Sequence, residues 1–122
     1  MATNVLDSVH FKESTAHGIV FAVFWAPWCS PCRAFFPTVE KVAENNPDIA
    51  FAKINIEELP ELAMEHNIQA IPTLLAFREG VLVHRESGAQ PAHSLQRIVD
   101  GVRADEPPRY EIPVPSQRAN AA

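Results

Sequence analysis

Residues Phe24 to Arg33 read FWAPWCSPCR, and they hold both cysteines of a 122-residue chain. The run before them, GIVFAV from Gly18 to Val23, carries no charge and shows no alternation of polar and apolar residues. A short unbroken apolar run of that kind predicts a strand covered on both faces. After the motif the period changes. From Ser30 to about Asn46 the apolar residues Cys32, Phe35, Phe36, Val39, Val42 and Ala43 recur at three- and four-residue steps, which predicts an amphipathic helix. The two thiols therefore fall where a buried strand ends and a helix begins.

Working outward, Pro37 should kink that helix and Pro47 should end it, because the residue before a proline is pushed out of helical geometry. Upstream, Asn4–Asp7 is a weak strand candidate, and Ser8 is placed to cap a helix running to about His17. Downstream, Ile49–Asn55 reads as a strand, and Glu57–His66 as a short acidic helix with Asn67 as its left-handed cap. Thr73–Phe77 and Val81–His84 flank Glu79-Gly80, a hairpin signal. A last helix begins near Pro91 and sets Leu95, Ile98, Val99 and Val102 on one face. The order βαβαβαββα predicts an α/β fold, a mixed central sheet with helices on both faces. Residues 1–104 form the expected domain. The segment 105–122, DEPPRYEIPVPSQRANAA, is proline-rich and reads as an extended or disordered tail.

Composition narrows the function classes. A chain with 47% apolar and 20% charged residues is an ordinary globular domain, large enough to bury a core without metals or staples. The net charge is -5, and the basic residues are scattered, so no stripe is available to grip a nucleic acid. No apolar run reaches the roughly 18–20 residues of a membrane span. The flank of the apolar strand lacks the basic start of a signal peptide. With only two cysteines, the expected compartment is the reducing cytoplasm, where a permanent structural disulfide is disfavoured.

Four chemistries compete for Cys29 and Cys32: a metal site, a structural staple, an inert buried pair and redox exchange. A zinc site needs about four ligands, and the five histidines show no paired ligand spacing, so no metal is expected. Residues three apart on a helical turn face the same way, within disulfide reach. At a helix N-terminus the unpaired N–H groups and the dipole favour an anion, which makes Cys29 the candidate nucleophile and shielded Cys32 the resolving thiol. A tryptophan before the pair and a proline inside it weigh against inert core cysteines. Redox exchange is the favoured reading.

The segment FWAPWCSPC resembles the active site of thioredoxins. Pro37 matches that family's helix-kinking proline, Ala52–Glu57 (AKINIE) its third strand, and Ala70–Phe77 (AIPTLLAF) its Ile-Pro-Thr segment. Arg78–Gly80 resembles its hairpin turn, and Gly88 the glycine before the last helix. The likeness runs from about Phe11 to Arg103. It implies a thioredoxin fold and a dithiol–disulfide oxidoreductase, with a reversible Cys29–Cys32 disulfide and Pro72 as a cis-proline facing the dithiol. The implied substrate groove comprises Trp28, Ser30, Pro31, Ile71, Pro72, Gly88 and Ala89. No cofactor would be bound; electrons would come from NADPH through a flavin-dependent thioredoxin reductase. The implied partners are that reductase and disulfide-containing proteins, met by a monomer. A more oxidising oxidase or isomerase-like protein, or a partner-binding module with little turnover, are the alternatives.

Three positions depart from the family pattern. Val23 stands where thioredoxins keep a buried aspartate that takes the proton of the resolving cysteine. Lys53 matches the lysine beside that aspartate. It must either carry its ammonium out to water or sit desolvated, and in the second case it is the candidate proton acceptor. Ser30 replaces the commonest glycine, and Ser87 replaces a groove residue that is usually apolar.

Overall fold

A computed structural model describes residues 3–5 and 8–104, with side-chain surroundings from His10 onward. The expected tail, 105–122, and the Leu6-Asp7 end of the first expected strand lie outside the described residues. Among the described residues, nine elements follow in the expected order: β1 (Thr3–Val5), α1 (Ser8–Thr15), β2 (Ile19–Trp25), α2 (Ser30–Glu44), β3 (Ala50–Asn55), α3 (Pro60–Glu65), β4 (Thr73–Arg78), β5 (Val81–Ser87) and α4 (Ala92–Arg103). The five strands form one mixed sheet in the order β1-β3-β2-β4-β5. β3 runs parallel to β1 and β2, while β4 is antiparallel to β2 and β5.

The apolar run reads as a central strand because it is one. Val20 to Phe24 are all buried, and the two faces of β2 feed two separate cores. Phe21 and Val23 pack with Phe35, Val39 and Val42 of α2 and with Leu95, Val99 and Val102 of α4. Ala22 and Phe24 pack on the other face with Phe11, Leu62 and Ile71. The Phe21 and Phe51 rings stack across β2 and β3 with centroids 5.2 Å apart. Burying a side chain of that size stabilises the fold by about 1.5–3 kcal/mol relative to leaving it exposed. The sheet position of the motif is therefore fixed from both sides.

Two element boundaries differ from the sequence reading by three residues. The acidic helix starts only at Pro60, since residues 55–59 form a turn in which the Asn55 carbonyl accepts the Glu58 and Leu59 amides and its Oδ1 accepts the Glu57 amide. Strand β5 continues past His84 to Ser87, with a register shift between Ala76 and Phe77 that opposes Ala76 to His84 and Phe77 to Leu82. That leaves Val83 as the extra residue of a bulge. Glu79 (φ 50°) and Gly80 (φ 83°) both lie in the left-handed region, as a two-residue type I′ hairpin turn requires. Pro37 lies inside α2, which continues through it to Glu44.

The helices on the α2/α4 face are tied at their ends. Arg103 donates to both carboxylate oxygens of Asp48 at 3.0 Å and to the Asn46 side chain at 2.7 Å. The Arg103 hydrogen bond holds the Asp48 carboxyl below its ordinary value. This exposed pair joins the loop after α2 to the end of α4.

Candidate active site

Strand β2 ends at Trp25, and a tight turn hands the chain to α2. The Cys29 amide donates to the Ala26 carbonyl at 3.1 Å, and the Arg33 amide donates to the Cys29 carbonyl at 3.2 Å, opening the helix. Cys29 is the N-cap residue of α2. Its sulfur accepts the Cys32 amide at 3.2 Å, filling the place a serine or aspartate oxygen takes in an ordinary N-cap. Pro31 occupies the first turn, where its missing N–H leaves nothing unsatisfied.

Cys29 and Cys32 are joined as a disulfide, with Cα atoms 5.3 Å apart. Cys29 keeps 5% of its surface exposed, whereas Cys32 has none. Across from the pair, the Ile71–Pro72 peptide bond is cis, as the resemblance implies, and the Ile71 carbonyl oxygen lies 3.9 Å from the Cys29 sulfur. The Gly88 amide donates to the Pro72 carbonyl at 2.8 Å, which draws the end of β5 against this loop. Gly88 adopts φ 93°, a conformation a residue with a side chain would hold only under strain. Trp28 is 65% exposed, so it is surface beside the dithiol and not core. Ser30, Pro31 and Ala89 are exposed as well, Ile71 and Gly88 are half-buried, and Pro72 is buried.

On β2, Val23 is fully buried and stands in direct register with Lys53 on the neighbouring strand. The Lys53 ammonium is paired with a carboxylate of α2. It lies 3.4 Å from a Glu40 carboxylate oxygen and 4.6 Å from the centroid of the Phe36 ring, with only 14% of the side chain exposed. The Trp25 ring meets the same Phe36 edge to face. Reading the sequence locally gives no hint of Glu40. The available signal is the stripe Cys32, Phe36, Glu40, spaced four apart on one face of α2 and running away from the dithiol under Lys53. Among the described residues, no group of three or more histidine, cysteine or acidic side chains is placed to hold a metal. No described helix is long and apolar enough to cross a membrane.

The chain matches the thioredoxin family over residues 2–101. A Streptomyces coelicolor relative is 40% identical over 121 residues, covering 98% of this chain and 90% of its own length. The thioredoxin of Bacillus subtilis is 36% identical over 91 residues, covering 74% of this chain and 88% of its own. Among solved structures, the thioredoxin of Malassezia sympodialis superposes with a TM-score of 0.75 at 29% identity, covering 80% of this chain and 90% of that one. Two cysteines at the junction of a central strand and a helix, opposite a cis-proline, complete the agreement. The chain belongs to the thioredoxin family and is a dithiol–disulfide oxidoreductase built on the Cys29–Cys32 pair.

Proposed function

We propose that this protein reduces disulfides of other proteins in the cytoplasm, acting as a monomer, with Cys29 attacking and Cys32 resolving. The observation that carries the reading is the asymmetry of the pair. Cys29 sits at the helix N-cap with a sulfur that receives a backbone N–H and retains some exposure, whereas Cys32 is sealed. That N–H and the helix N-terminus favour the anion, and the anion is the nucleophile.

In the first step the Cys29 thiolate attacks one sulfur of the substrate disulfide. The substrate S–S bond breaks, its other sulfur leaves as a thiolate, and a mixed disulfide remains. Cys32 then loses its proton and attacks the Cys29 sulfur, forming the intramolecular disulfide and releasing the second substrate thiol. The substrate gains two electrons and the protein loses them. A flavin-dependent thioredoxin reductase using NADPH would return them.

The substrate would lie along Trp28, Ser30, Pro31, Ile71, Pro72, Gly88 and Ala89, with backbone near Ile71 pairing in strand fashion. For the Cys32 proton, Val23 leaves β2 without a carboxylate. Lys53, opposite it, is the candidate acceptor, and an ammonium must first pass its own proton to Glu40 or to water before it can serve. Cys32→Ser, which blocks resolution, tests the reading. Stable mixed disulfides through Cys29 with oxidised proteins are the expected outcome. A single partner held without a covalent bond, and still held after both cysteines are replaced, would instead identify a binding module.

A further inference from the structure

Arg33 occupies an odd place. It is in the first turn of α2, where the helix dipole repels a cation, and that turn carries no acidic residue to balance it. It is nevertheless held there by a fork of hydrogen bonds. One guanidinium nitrogen donates to the Pro27 carbonyl, and another donates to the Ser30 hydroxyl at 3.2 Å. Its own amide donates to the Cys29 carbonyl. The three acceptors belong to residues 27, 29 and 30, so Arg33 brackets the attacking cysteine in the chain. A glycine at position 30 would offer no acceptor, and a lysine at position 33 has no planar fork to span two.

We propose that Ser30 and Arg33 form a clamp that sets the reactivity and redox equilibrium of Cys29, Arg33 acting as a positioning residue through Ser30 and the Pro27 carbonyl. This rests on Cys29 being the attacking thiol. The clamp has two effects. It pins the turn that presents Cys29, and it fixes a permanent positive charge on the Pro27 carbonyl and the Ser30 hydroxyl, which flank Cys29 in the chain, so that the charge acts on the thiolate formed on reduction. The reduced dithiol gains from that charge and the disulfide does not. Removing the charge therefore lowers the thiolate population at neutral pH and makes the pair more reducing. The serine ceases to be a neutral replacement for glycine and becomes the anchor that orients the arginine.

A mutant cycle tests this on the full chain: Arg33→Met, Ser30→Ala and the double variant. The readouts are the pH dependence of Cys29 alkylation and the equilibrium with glutathione. Arg33→Met should lower the neutral-pH alkylation rate and the equilibrium constant for reduction by about two- to fivefold. The latter corresponds to about 10–20 mV. Ser30→Ala should move both readouts the same way by less, and should add almost nothing once Arg33 is gone. Arg33→Lys should restore the charge effect in part while losing its coupling to Ser30. At 1 M salt, where screening acts within about 3 Å, the Arg33→Met difference should shrink. An unmoved alkylation profile in Arg33→Met, or strictly additive single effects, would overturn the clamp. Preferential alkylation of Cys32 in the parent protein would overturn the assignment of Cys29 itself.

Discussion

Cys29→Ser is expected to lose disulfide-reducing turnover by at least about three orders of magnitude, because a serine hydroxyl supplies no anion at neutral pH comparable with a thiolate. The fold should survive. Cys29 and Ser differ by one atom, the N-cap position accepts an oxygen as readily as a sulfur, and the Cys32 amide keeps its partner. Activity and stability should thus separate: turnover disappears while the melting temperature of the reduced proteins stays close to that of the parent. The measurement is turnover with insulin, using dithiothreitol as the reductant, beside thermal unfolding of both proteins in the reduced state. Substantial turnover in Cys29→Ser would mean that Cys32, despite having no exposed surface, is the attacking group.

Val23→Asp carries the second large effect, and its two consequences have opposite signs. The side chain is fully buried against α2 and α4, so losing the valine and burying a carboxyl should destabilise the protein by about 2–4 kcal/mol. Lys53 lies directly opposite on β3, about one strand spacing away, and limits that cost. Catalytically, a carboxylate at that position is expected to serve as a base for Cys32, and turnover near pH 7 should rise by roughly threefold or more. Urea unfolding and stopped-flow reduction read the two effects separately. No rate gain would mean that the parent protein already has a competent acceptor. Lys53→Met then identifies it: an unchanged pH–rate profile excludes Lys53.

Much of this site was legible in the chain because its signals are local. The change from an unbroken apolar run to a three- and four-residue period located the strand–helix junction, and that junction is where Trp25 ends β2 and Ser30 begins α2. The dithiol needed only that junction and the spacing of its cysteines. What escaped depended on long-range pairing. Lys53 finds Glu40 across a strand–helix contact, and no spacing rule links positions 40 and 53. The bulge at Val83 could not be read either: one step along β4, from Ala76 of the α2/α4 core to Phe77 of the opposite core, spans two steps on β5, from His84 to Leu82. The acidic run from Glu57 looked helical by composition, yet the Asn55 side chain and carbonyl capture its amides first. The Ser30–Arg33 bond sits at ordinary helical spacing, but its meaning emerged only with the Pro27 carbonyl on the far side of Cys29.

The reduction potential of the Cys29/Cys32 pair, measured by equilibration with glutathione, tests the central claim most directly. A protein that reduces other proteins' disulfides must hold its electrons less tightly than they do. A potential close to about -270 mV, the known value for thioredoxin itself, is the expected result. A potential near about -180 mV or higher, in the range of disulfide isomerases and oxidases, would contradict it.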